Sequence, residues 1–165
     1  MMIKWFAVLA ALLLFSGCAA PVAYETVSDQ LLAMPEPQPK EVTVGLPSNA
    51  AVVIEGAKGK SWLCEDYTVC VQTFSGGDFA QTVKNVTGMD KEDVFTLQTM
   101  RGDCARYELA WVCAGEGGEQ LNQAVMLDDG CHHYVLSIHG DAESYSARRE
   151  AWRQIAASFG LSTAP

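Results

Sequence analysis

The sequence predicts an α+β fold, an antiparallel β-meander covered by two amphipathic helices. Three observations predict it. No proline occurs between Ser48 and Ala164, so strands in that span can keep every backbone N–H. Short alternating apolar runs follow one another, separated by Gly- and Asp-rich turns. Two other stretches carry apolar residues at helical spacing: Phe79, Val83 and Val86, then Trp152, Ile155, Ala156 and Phe159.

Each element follows from local chemistry. Residues 51–54 (Ala-Val-Val-Ile) form a short apolar strand. Residues 61–64 and 69–74 form two more, joined by a turn at Glu65-Asp66. Ser75-Gly76-Gly77 ends the third strand. Asp78 is placed to cap a helix over 79–87, and Gly88 to close it in the left-handed conformation. A meander then runs through 94–100, 106–112, 121–127 and 131–139. Its turns fall at Arg101-Gly102-Asp103-Cys104, Gly115 to Gly118 and Asp128-Asp129-Gly130. In the second of these strands Tyr107, Leu109, Trp111 and Cys113 share one side, and Glu108, Ala110 and Val112 the other. Gly140-Asp141 ends the meander. A last helix follows, capped by Ser144 or Ser146, with Arg148, Arg149 and Arg153 turned to water and Gly160 as its left-handed C-terminal cap.

The amino-terminal third has a different composition. Lys4 is the one early charge, and Trp5 to Phe15 is an unbroken apolar run. As a helix that run is roughly 16 Å long, too short to span a bilayer and suited to a signal peptide. It ends at Leu14-Phe15-Ser16-Gly17-Cys18, which resembles the lipobox of bacterial lipoproteins. The resemblance implies cleavage before Cys18, acylation of its thiol and its new α-amine, and stable anchoring in a membrane. The alternative is an ordinary secretory signal cleaved near Ala19-Ala20. With Ala19 after the Cys, the family's sorting rule implies the periplasmic face of the outer membrane in a host with two membranes. Pro21, Pro35, Pro37, Pro39 and Pro47 then mark residues 18–47 as an extended leash. The expected organisation is a signal peptide over 1–17, this leash, and one domain over 48–161.

The end of the domain carries a second resemblance. Residues 133–138 (His-Tyr-Val-Leu-Ser-Ile), a break at 140–143, and residues 151–159 finishing in Ser-Phe are similar to the close of PsbP-like or DcrB-like domains. Phe79 to Val83 after a Gly-rich turn fits their earlier helix. Members of those families are mostly non-enzymatic binding and assembly proteins of envelopes or thylakoids, so the resemblance implies a role of that kind.

Charge and cysteine usage bound the chemistry. With 11 basic against 20 acidic side chains the formal charge is −9, which disfavours nucleic acid and anionic lipid surfaces as partners. The expected partners are the membrane, through Cys18, and a protein of the envelope. Trp62 and Tyr145 are candidate exposed anchors for the latter. The thiols beyond Cys18 are Cys64, Cys70, Cys104, Cys113 and Cys131. Cys104 and Cys113 lie along one strand, about 30 Å apart, too far for a disulfide. Cys64 with Cys70 and Cys104 with Cys131 are the candidate disulfides, leaving Cys113 as a core thiol.

An alternative reading centres on Cys131, His132 and His133 as a metal- or thiol-dependent enzyme, with Asp128 or Asp129 as a further ligand. On a strand, Cys131, His133 and His139 share a face and His132 takes the other. His139 lies about 20 Å beyond His133, too far to share an ion with it. A strained disulfide acting as an envelope stress sensor is a third reading. No Gly-x-Ser-x-Gly, phosphate loop or Cys-x-x-Cys occurs. The sequence therefore predicts no cofactor, no metal and no catalytic residue, and a binding role.

Overall fold

The structure, a computed structural model, describes residues 37–57, 59–101, 104–115 and 118–162. The lipobox, Cys18 and the leash up to residue 36 lie outside the described residues.

The chain forms β1 (Val42–Thr43), β2 (Ala51–Gly56), β3 (Gly59–Cys64), β4 (Tyr67–Ser75), α1 (Phe79–Thr87), a 3-10 turn (Lys91–Asp93), β5 (Phe95–Arg101), β6 (Cys104–Gly115), β7 (Gly118–Asp128), β8 (His132–Asp141), α2 (Ala142–Ser158) and β9 (Gly160–Leu161). The architecture is α+β. Seven strands make one antiparallel sheet in the order β2-β3-β4-β8-β7-β6-β5, and β1 pairs with β9 beside it. The crossover from β4 to β5 carries α1, so β8 returns to the centre and zips against β4 and β7.

The two helices cover opposite faces. Alternation along the central strands sends Val69, Val71, Val125, Leu127, Tyr134, Leu136 and Ile138 to one side, where they pack on Trp152, Ile155, Ala156 and Phe159 of α2. Leu109, Trp111, Ala124, Met126 and Val135 go to the other side and pack with Val83 of α1 and with Val94. The central strands are therefore buried on both faces, which explains the nearly unbroken apolar run from Ala124 to Leu127. Each fully buried aliphatic or aromatic side chain contributes about 1.5–3 kcal/mol.

Local signals set α1 as expected. Asp78 accepts from the Ala80 amide at 2.9 Å, and Gly88 (φ 74°) closes the helix with its N–H on the Lys84 carbonyl. The ends of α2 differ from expectation. Its cap is Asp141, whose Oδ1 accepts from the Ser144 amide at 2.7 Å; the Ser144 hydroxyl is already committed to the Asp66 carbonyl. Gly160 is not a left-handed cap, because buried Phe159 turns the chain extended (φ −67°, ψ 126°) and Gly160 enters β9 against Thr43.

Residues 38–47, assigned to the leash from their prolines, join the fold instead. Val42, Val44 and Leu46 pack on the α2-side core, and the Lys40 amide donates to the Tyr134 hydroxyl at 2.8 Å. Alternating apolar residues override the flanking Pro39 and Pro47, neither of which falls within β1.

Candidate functional site

Two covers lie on the α2 face, and they leave part of it open. The 42–46 segment lies over β2–β4 and α2 over β7 and β8. Beyond α2, toward β5, no described residue covers the face, which forms a groove of about 380 Å³. Phe95, Ala110, Val112, Leu121, Tyr145 and Trp152 line it, with Glu108 and Gln123 among the polar groups. Register explains the lining: Phe95 stands opposite Ala110, Leu97 opposite Glu108 and Val112 opposite Leu121, all on the same side. Phe95 is 68% exposed, Leu97 49% and Val112 45%. Apolar residues clustered at that exposure on one concave surface make this the candidate binding site.

Tyr145 and Trp152 are successive members of the α2 stripe and meet edge to face at 5.3 Å. Tyr145 is half-buried at the groove wall. Trp62, the other candidate anchor, is also half-buried, packed on the core with the Lys40-side segment and with Lys60 Nζ 5.8 Å from its ring. Below the groove the Arg106 guanidinium reaches under α2 to the Ala156 carbonyl (3.0 Å) and pairs with Glu108 at 3.3 Å. Arg106 is buried, a role its place in an alternating strand does not announce.

The histidines do not assemble with Cys131. His133 is buried on the α1 face, hydrogen-bonded through Nδ1 to Thr82 Oγ1 at 2.7 Å, with Nε2 3.7 Å from Asp128 Oδ2. His132 points to the α2 face beside Tyr134, and Cys131 is exposed on the turn. His139 shares the α1 face with His133 but lies at the other end of β8. There it holds Asn122 Oδ1 and Ser137 Oγ, each at 2.8 Å, and burial lowers its pKa below the ordinary 6.5. Asn122 in turn donates to Cys113 Sγ at 3.3 Å, which makes this half-buried thiol part of a polar chain on the sheet. Among the described residues no three His, Cys, Asp or Glu side chains converge as a metal site.

All five thiols of the domain are free. Cys64 and Cys70 are not cross-strand partners: Cys64 faces Tyr67 and Cys70 faces Ser61. Cys64 enters the α2-side core while Cys70 takes the other face, where Ser61 Oγ donates to it at 3.2 Å. The expected bridge between them is therefore not made. Cys104 and Cys131 do lie at one end of the sheet, since Ala105 pairs with Asp128 beside the turn that carries Cys131.

That turn is the most heavily bonded polar point at this end. Asp129 accepts from the amides of Cys131 (3.0 Å) and His132 (2.8 Å), and from the Tyr134 hydroxyl (3.2 Å), and pairs with Lys40 Nζ at 3.1 Å. Burial alone would raise its pKa, but those donors together outweigh burial and bring it to about 2.

The chain is thus a domain of seven antiparallel strands with one helix on each face and an apolar groove beside the second helix. No protein-family model matches it, and no curated protein matches it significantly. Solved structures do. CyanoP, a PsbP protein of Synechocystis, is similar at a TM-score of 0.55 and 12% identity over 73% of this chain and 86% of that one. LpqN of Mycobacterium tuberculosis, involved in cell envelope biogenesis, is similar at 0.50 and 10%, over 76% and 87%. A crystal structure from Bacteroides thetaiotaomicron is similar at 0.51 and 12% over 74% of this chain, which spans 45% of that longer one. Identities this low show the fold alone, and at that level the resemblance to PsbP-like domains holds.

Proposed function

We propose that this chain is a lipid-anchored, non-catalytic binding or assembly protein of the bacterial cell envelope, and that it engages its partner through the groove between α2 and β5–β7. The observation that carries the reading is the groove itself, lined by exposed Phe95 and Val112 with exposed Leu97 on the same face beside it. Burying three such side chains in a partner is worth several kcal/mol. Anchoring follows from the lipobox at Cys18, and the periplasmic face of the outer membrane from Ala19 where the host has two membranes. The fold shared with LpqN, a protein of envelope biogenesis, supports the compartment.

The experiment has two arms. Labelled palmitate should enter the protein, and Cys18→Ser should abolish labelling and release the chain from the membrane fraction. A photo-crosslinking residue at Val112 should give a discrete adduct in intact cells, and one at Gln154 on the outer side of α2 should not. Unchanged processing of Cys18→Ser overturns the anchor. Equal adducts from both positions overturn the groove.

A further inference from the structure

Among the described residues both ends of the sheet are open edges, and they are not equivalent. β2 presents Val52, Val53 and Ile54 to solvent, but its register against β3 is broken between Val52 and Ile54. A bulge there bends the strand and spoils its outer row of hydrogen-bonding groups, one of the ways proteins blunt an edge. β5 has no such defect. Its pairing with β6 runs without a break from Phe95 to Arg101, and among the described residues it is laddered to β6 alone. Its outward N–H and C=O groups therefore form a regular template for one more strand. Of its side chains, Phe95 lines the groove, and exposed Leu97, opposite the groove residue Glu108, lies on the same face.

Charge narrows what can dock there. Glu92 and Asp93 immediately precede β5, Glu119 sits beside Leu121 on β7, and Glu143 opens α2 two residues before Tyr145; all are exposed. Lys91 and Arg149 are the exposed bases at this end, fewer than the acids around them, while Arg101 closes β5 at its other end. A fatty-acid carboxylate or anionic headgroup meets repulsion at this rim. So does a second copy, which brings a formal charge of −9 and the same rim.

Resting on the groove reading above, we propose that β5 is the site of strand addition by a partner polypeptide. The partner segment is extended, apolar at alternate positions and flanked by Lys or Arg. Its backbone completes the ladder on β5, its alternate apolar side chains enter the groove beside Phe95, and its basic flank at that end meets Glu92, Asp93 and Glu119.

The probes are two fluorescent peptides of alternating Leu and Thr, one with Lys-Lys at both ends and one with Glu-Glu. Each is titrated by anisotropy into the full-length protein in neutral detergent. The Lys-ended peptide should bind at least tenfold tighter than the Glu-ended one, and added salt should narrow the gap. Leu97→Lys should weaken it at least tenfold, whereas Val53→Lys on β2 should not; both positions are exposed, and unchanged melting confirms that each variant folds. Equal binding of the two peptides, loss on Val53→Lys in place of Leu97→Lys, or a dimer in sedimentation velocity that Leu97→Lys dissolves overturns the proposal. If these fail while Val112 still crosslinks in cells, the groove stands and only its strand-shaped occupant falls.

Discussion

Lys40 Nζ stands 3.1 Å from Asp129 Oδ2, which ties the entering chain to the β7–β8 turn. The carboxylate is the acceptor for two turn amides as well, so its charge holds three segments at once. Its folded pKa of about 2 lies below the ordinary 3.8, so the ionised form favours the native state. The contribution is complete above about pH 4 and is lost as pH falls through about 2. Once screening by solvent is allowed for, it is worth about 1–2 kcal/mol. Urea unfolding of Asp129→Asn should therefore show that deficit at pH 7 and little of it near pH 2.

The second pH effect has a different window. Burial lowers the His139 pKa, so the native state favours the neutral ring that holds Asn122 and Ser137. Stability from this group is full above about pH 6.5 and declines as pH drops below it, because the unfolded chain takes up the proton first. His139→Gln cannot titrate, and its unfolding midpoint should change less between pH 7.5 and 5.5 than the parent's. An equal slope in both proteins would assign the acid sensitivity to other groups.

What the sequence made legible was local. Asp78 and Gly88 bracket α1 because a carboxylate beside free amides and a residue without Cβ act within one turn. The alternation of Leu109, Trp111 and Cys113 against Glu108, Ala110 and Val112 is likewise a property of one strand. The rest depended on what packs where. That α1 and α2 take opposite faces, that Arg106 runs beneath α2 to the Ala156 carbonyl, and that Leu97 stays wet while Leu109 is buried follow from how far each helix extends across the sheet. No spacing within a single element encodes that. The groove was illegible for the same reason.

Register also decides a cysteine question. Cys64 and Cys70 sit three register positions apart on opposite faces of the β3–β4 hairpin, beyond the roughly 7 Å Cα separation a disulfide tolerates. Mass mapping of a non-reduced digest should find no Cys64–Cys70 peptide. Finding one would require β3 to slip against β4 and would turn the Cys64 face away from the core.

The contact between Thr82 and His133 is a polar link between α1 and the sheet. Both side chains are buried, and their hydrogen bond is 2.7 Å long. Thr82→Val keeps the shape and removes the partner of Nδ1, which should cost about 1–3 kcal/mol in chemical denaturation. Thr82→Ser keeps the hydroxyl and should lose clearly less. If Ser and Val cost the same, the methyl group and not the hydrogen bond is what Thr82 supplies.

Gly140 lets α2 settle onto β8. A Cβ there would lie 2.9 Å from Trp152 Cζ2 and 3.3 Å from Ser144 Cβ. The indole has nowhere to retreat, since it is 1% exposed and packed between Tyr67 (5.8 Å) and Tyr145 (5.3 Å). Gly140→Ala should therefore destabilise by about 1–3 kcal/mol, the cost of overpacking. Gly56→Ala, whose Cβ would come no nearer than 3.9 Å to its neighbours, should stay close to neutral. Because Trp152 and Tyr145 wall the groove, the strain in Gly140→Ala has a second readout. Any shift of the indole displaces Tyr145, so probe affinity at the groove should fall together with stability. Loss of stability with unchanged affinity would mean that α2 moves away from the sheet as a rigid unit and leaves the groove wall intact.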